Sequence, residues 1–161
     1  MSNGCPSIAL SGLSLTRVWH DDDLVELCVA VTTCNAHFST TVYAGHRELS
    51  GMLSSLAAFA TSLSDGLSCE IGLGQFGPAF ANGAWRLRLQ FVAPGTLWVW
   101  SRQQADFAGP EFPRRGFDDV ADEATLLLAS EPGLFDAFVA QLSCLAKRRR
   151  DDARLECVRS Q

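Results

Sequence analysis

No apolar run in this chain is longer than a few residues, so no segment is expected to cross a bilayer as a helix. The start, Met1-Ser2-Asn3-Gly4-Cys5-Pro6, lacks a basic stretch followed by an apolar one, so it does not read as a secretory leader. The six cysteines (5, 28, 34, 69, 144 and 157) include no C-x-x-C pair, which argues against a zinc or redox motif. Without a leader they read as reduced, mostly buried thiols in a cytoplasm. Histidine is scarce too. His20, His37 and His46 all fall in the first third, and no G-x-S-x-G elbow accompanies them, so a hydrolase triad is not expected.

Other catalytic and metal motifs fail on spacing. Cys34 and His37 could meet only across a turn, and no third group is placed to orient the imidazole. Cys28, Cys34 and His37 have no zinc spacing, and Asp21-Asp22-Asp23 lacks the glycine and distal glutamate of a calcium loop. Gly72-Leu73-Gly74-Gln75-Phe76-Gly77 spells G-x-G-x-x-G, but a strand follows where a phosphate-binding helix should begin. It reads as a β–β loop. Neither a cofactor nor an enzymatic activity is expected.

What is present is a globular composition: 161 residues, 47% apolar and 19% charged, the length of one domain covering 1–161. At this size roughly 70% of the unfolded chain's surface can be buried, so the core needs no disulfide or metal staple. The net charge of −5 hides an asymmetry: residues 147–161 hold six basic and three acidic side chains, the remainder seven basic and fifteen acidic. An acidic body repels nucleic acid and anionic membrane and attracts a basic partner. Its acids cluster, as Asp21, Asp22 and Asp23, and as Asp118 and Asp119 with Asp122 and Glu123.

Hydrophobic period organises the rest. Ile8, Leu10, Leu13 and Leu15 alternate with a slip at Gly12, which suits a bulged strand. After the acidic turn, Val25, Leu27, Val29 and Val31 alternate cleanly, and Phe38, Thr40 and Val42 continue as a third strand. Short turns between them favour an antiparallel meander. Leu49, Met52, Leu53, Leu56, Phe59, Ala60 and Leu63 then follow helical spacing over about 47–64, with Asp65-Gly66 as the stop. Period two returns at Leu67, Cys69, Ile71 and Leu73, at Trp85, Leu87, Leu89 and Phe91, and from Leu97 to Arg102. A polar loop is expected at 104–124 and a short strand at 125–129. Pro132 opens a second amphipathic helix, near 132–148, carrying Leu134, Phe135, Phe138, Val139, Leu142 and Leu145. Lys147-Arg148-Arg149-Arg150 would complement its dipole, and the charged extension 147–161 would continue the helix or fray. These elements predict an α+β fold: a single, mainly antiparallel sheet of six or seven strands with two main helices packed on one face.

The tryptophans depend on one turn. If the loop after Phe91 has two or four residues, Trp98 and Trp100 share the core face with Trp85; if it has three, they turn outward and Trp100 stands opposite Arg88. Pro94-Gly95 fits a two-residue hairpin poorly, which leaves three or four. A core position is the expectation adopted for both.

Leu24 to Val31, Phe38-Ser39-Thr40-Thr41-Val42-Tyr43, the helix Leu49-x-x-Met52-Leu53-x-x-Leu56-Ala57-x-Phe59, Gly66-Leu67-Ser68-Cys69-Glu70-Ile71 and the closing Pro132-Gly133-Leu134-Phe135 form a recognisable order. It resembles the small bacterial WapI-type immunity proteins of polymorphic toxin systems and a neighbouring family of unknown function, over most of residues 7–146. The chain departs from that pattern in its long 104–124 loop and in having no aspartate–glutamine pair before the last helix. The resemblance implies a cytoplasmic module that neutralises a basic protein toxin by occlusion. It carries no functional residue across. From charge alone, the candidate contact residues are Asp21, Asp22, Asp23, Asp118, Asp119, Asp122 and Glu123, with Trp98, Trp100 and Arg88 as the alternative surface. The competing expectation is a small-ligand or lipid-like binder using a groove between helices and sheet. Oligomeric state is left open.

Overall fold

Alternation in the first third builds three long strands, β1 (Gly12–His20), β2 (Leu24–Thr32) and β3 (His37–Gly45), joined by tight turns as an antiparallel meander. The structure is a computed structural model and describes residues 11–77, 82–106 and 121–158. Ile8 and Leu10, expected in the first strand, lie outside these. α1 (His46–Thr61) follows directly; Glu48 accepts the Gly45 N–H at its start, and Leu49, Met52, Leu56 and Phe59 form its buried stripe. It stops earlier than expected, and Gly66, at φ +80°, serves the next turn instead of the helix end.

A second antiparallel meander follows: β4 (Ser68–Leu73), β5 (Ala84–Val92), β6 (Thr96–Gln104) and β7 (Glu123–Ser130). α2 (Pro132–Ala146) begins with proline in its first turn and buries Phe135, Phe138, Leu142 and Leu145. Then comes β8 (Asp152–Glu156), which returns to pair with β1. The C-terminal segment is therefore neither a helical extension nor frayed through 152–156. Ala153 and Leu155 alternate inward there, a signal too short to stand out beside the charges around it.

The expectation of two helices and antiparallel strands matches the molecule; the single sheet does not. Two four-stranded sheets are present, ordered β3-β2-β1-β8 and β4-β5-β6-β7. The division falls at α1, which contacts both β3 and β4 and keeps those strands from pairing along their length. Both inner faces feed one continuous core that also takes in α1 and α2. The helices meet through Phe59 and Phe135, edge to face at 5.7 Å, a contact worth about 0.5–1.5 kcal/mol beyond its burial.

Where the sheets close on one another, buried polar groups are partly paired, with Gln103 Oε1 and Gln104 Nε2 left buried without a partner among the described residues. Gln103 Nε2 donates to the Val29 carbonyl and Thr40 Oγ1 to the Gln104 carbonyl, both at 2.9 Å, and Trp85 Nε1 donates to Ser101 Oγ. Gly83 sits in this corner because a Cβ there would overlap Thr40 Oγ1 and the Thr41 carbonyl. At another seam, Ser130 Oγ donates to the Glu156 carbonyl and Val158 N to Ala129 O, tying β8 to β7.

Candidate functional site

Two surfaces come out of this frame, and the sequence singled out part of each. The first is the tip of the β1–β2 hairpin. Asp21 Oδ1 accepts the backbone N–H groups of Asp23 and Leu24, both at 2.8 Å, so the acidic turn is a closed Asx-type turn. Those two amides, Leu24 first, hold the Asp21 carboxyl below its ordinary value, and the nearby His46 and His20 act in the same direction. The Asp21 carbonyl accepts from His46 Nε2 at 2.9 Å and from Arg148 Nη2 at 3.2 Å. So Arg148 reaches across to brace the acidic turn, and no basic residue occupies the last turn of α2. Arg17 takes the role expected of the basic run: from β1 its guanidinium donates to the Leu145 carbonyl and pairs with Asp151.

The bulge expected at Gly12 lies instead between Arg17 and Trp19, where the register with β2 shifts. Arg17 stays on the inner face, while Val18 is left without a register partner and Trp19 comes opposite Glu26. Val18, Trp19 and Leu24 are 59%, 46% and 40% exposed, beside three exposed aspartates. Charge and period alone did not single out these apolar residues. The available signal was Val18-Trp19, two large apolar neighbours that break strict alternation next to a charged turn.

The second surface is the outer face of β4–β7. The β5–β6 loop has three residues, 93–95, because Val92 pairs with Thr96. This corrects the expected core position of Trp98 and Trp100. Trp98 stands opposite Gln90 and Trp100 opposite Arg88, both half-buried on the outer face, while Trp85 alone of the three is buried. The Arg88 guanidinium lies 5.6 Å from the Trp100 ring centre. Arg86 and Arg102 flank the Phe76 ring at 5.6 and 4.3 Å and pair with Glu70 (3.5 Å) and Glu123 (3.1 Å). Beside Phe76, the Gly77 N–H donates to Gln104 Oε1.

The described acidic candidates are divided between the two sheets. Asp21, Asp22 and Asp23 belong to the first sheet; Glu123 opens β7 in the second and is engaged by Arg102, with the Asp122 carbonyl accepting from Ala105 N beside it. Asp118 and Asp119, the rest of that acidic group, lie outside the described residues. His37 Nδ1 hydrogen-bonds Thr32 Oγ1 at 2.8 Å, not Cys34. Among the described residues no three His, Cys, Asp or Glu side chains converge as a metal site would require. Phe59, Phe135, Phe138 and Trp85 are buried in the core that helices and sheets share. No family model, no curated protein and no solved structure matches this chain.

Proposed function

We propose that this chain is a protein-binding module of the toxin-neutralising kind, working in a cytoplasm and acting by covering a basic partner, with no catalysis of its own. One observation carries the reading: three of the large exposed apolar side chains, Val18, Trp19 and Leu24, surround the densest described run of acid, Asp21-Asp22-Asp23. Tryptophan is a typical interface anchor, since one rigid ring removes much apolar surface from water at little entropy cost. Aspartates at its rim steer a cationic surface into register and act mainly on the association rate. The Asx turn and the braces from His46 and Arg148 fix the hairpin beforehand, which lowers the ordering cost of binding. The unpaired state of the five described cysteines suits a reducing compartment.

The test begins with the genes adjoining this chain's own: a toxic domain found there is prepared as an inactive variant for stopped-flow association at low and at about 0.15 M salt, and a neighbourhood that encodes none refutes the reading. Asp21→Asn, Asp22→Asn and Asp23→Asn together keep an amide oxygen for the Asx turn and remove the charge. That triple variant should associate more slowly and with a flatter salt dependence, while Trp19→Ala should dissociate faster, at a cost of roughly 2 kcal/mol or more. Unchanged rates in both variants would refute the hairpin as the contact surface.

A further inference from the structure

Large apolar side chains are exposed at five places among the described residues: Val18, Trp19, Leu24, Val92 and Leu127. The first three belong to the acidic hairpin. The other two belong to the second sheet, where Leu127 pairs with Trp100 across β6–β7 and Val92 ends β5. Among the described residues, exposed large apolar groups thus fall in two patches of opposite charge. Outside the C-terminal segment the chain has only seven basic residues, and Arg86, Arg88 and Arg102 share this single sheet face. Glu70, which pairs with Arg86 and stands opposite Arg88 in the β4–β5 register, and Glu123, which pairs with Arg102, answer two of these three charges and leave the described face one charge positive, with Arg88 lying over the Trp100 ring.

We infer that the Arg88–Trp100 face of one copy receives the acidic β1–β2 hairpin of a second copy, so that the chain associates with itself head to tail. A basic foreign partner would satisfy the hairpin and be repelled by the face. A nucleic acid could stack on the face but would be repelled by the acidic body. A second copy is the one occupant on the page that covers both patches at once, carboxylate to guanidinium and Trp19 against Trp98 and Trp100. The two contact surfaces differ, so the contact is heterologous and builds rings or open chains instead of stopping at a symmetric pair. The inference shares the hairpin with the proposed toxin contact and stands without it. If both hold, a basic partner competes with the second copy, and binding it disassembles the oligomer.

Sedimentation velocity on the chain alone, over a range of concentrations at low and at about 0.15 M salt, reads the association directly. The wild type should grow in mass with concentration, and less so at the higher salt. Arg88→Glu alone, and Asp22→Lys with Asp23→Lys, should each weaken association about tenfold, because each sets like charges against one another. An equimolar mixture of these two variants should recover most of the association. In the mixture the introduced glutamate of one variant meets the introduced lysines of the other, and the unaltered Arg88 meets unaltered aspartates. Recovery also shows that both variants fold. A wild type that stays monomeric at low salt overturns the inference. So does an oligomer that neither variant weakens, or a mixture no better than its components. Tryptophan quenching by an oligo-dT strand that is lost in Arg88→Glu would also overturn it, by giving the face to nucleic acid.

Discussion

Gly83→Ala probes the corner where the two sheets meet, which is the feature that separates this fold from a single sheet. The added methyl would overlap Thr40 Oγ1 and the backbone carbonyl of Thr41, and lie 3.0 Å from the Gln104 carbonyl. Two of these three neighbours are backbone, so rotamer change cannot relieve the clash. Either β3 or the end of β6 must shift. Overpacking of this kind costs about 1–3 kcal/mol. Parting the strands also breaks the buried Thr40 to Gln104 hydrogen bond, leaving an acceptor unsatisfied at about 1–3 kcal/mol more. A total of about 4 kcal/mol follows, which at this length corresponds to roughly 8–16 °C in Tm. Urea titration and thermal unfolding with one fluorescence probe, Trp85 being the buried reporter at the same corner, would measure it. A loss under about 0.5 kcal/mol would refute the close approach of β3 to Gly83 and Gln104, and with it the way the two sheets are joined.

Phe138→Ala empties a fully buried site beside Phe135, with ring centres 6.4 Å apart, and should cost ~3–5 kcal/mol in a denaturant titration; less than 1 kcal/mol would mean that α2 does not pack as described. The Asp21 carboxyl is held below 3.8, so its contribution to stability is complete above that pH and is lost as pH falls through the lower, folded-state value. Asp21→Ala should therefore lower stability at neutral pH and flatten the acid limb below about 3.8, whereas an unchanged limb would detach the turn from acid sensitivity. Burial pushes the Cys157 thiol up to about 12 while Cys34 is exposed, so a thiol reagent at about pH 8 should label Cys34 well before Cys157 in the folded chain. Equal labelling would contradict the packing of the segment after β8.

Local pattern determined much of this molecule. Alternation at Val25, Leu27, Val29 and Val31 could only make a half-buried strand, and the stripes through Leu56, Phe59, Phe135, Phe138 and Leu142 could only make helices with one buried side; all five stripe residues are buried. Clustered aspartates likewise marked a turn without any tertiary context. Three things were decided elsewhere. Whether the strands make one sheet or two depends on where α1 lodges, because backbone edges pair equally well with any strand that reaches them. Which way Trp98 and Trp100 face turned on a single loop residue, since side chains alternate with period two and a one-residue change inverts a whole strand. The same arithmetic hid the exposed apolar pair at the hairpin: a bulge after Arg17 leaves Val18 and Trp19 exposed, and only the pairing of β1 against both β2 and β8 sets where that extra residue falls. Period and polarity are written into a few residues at a time, but register and sheet partnership are collective, settled only when distant strands close on a common core.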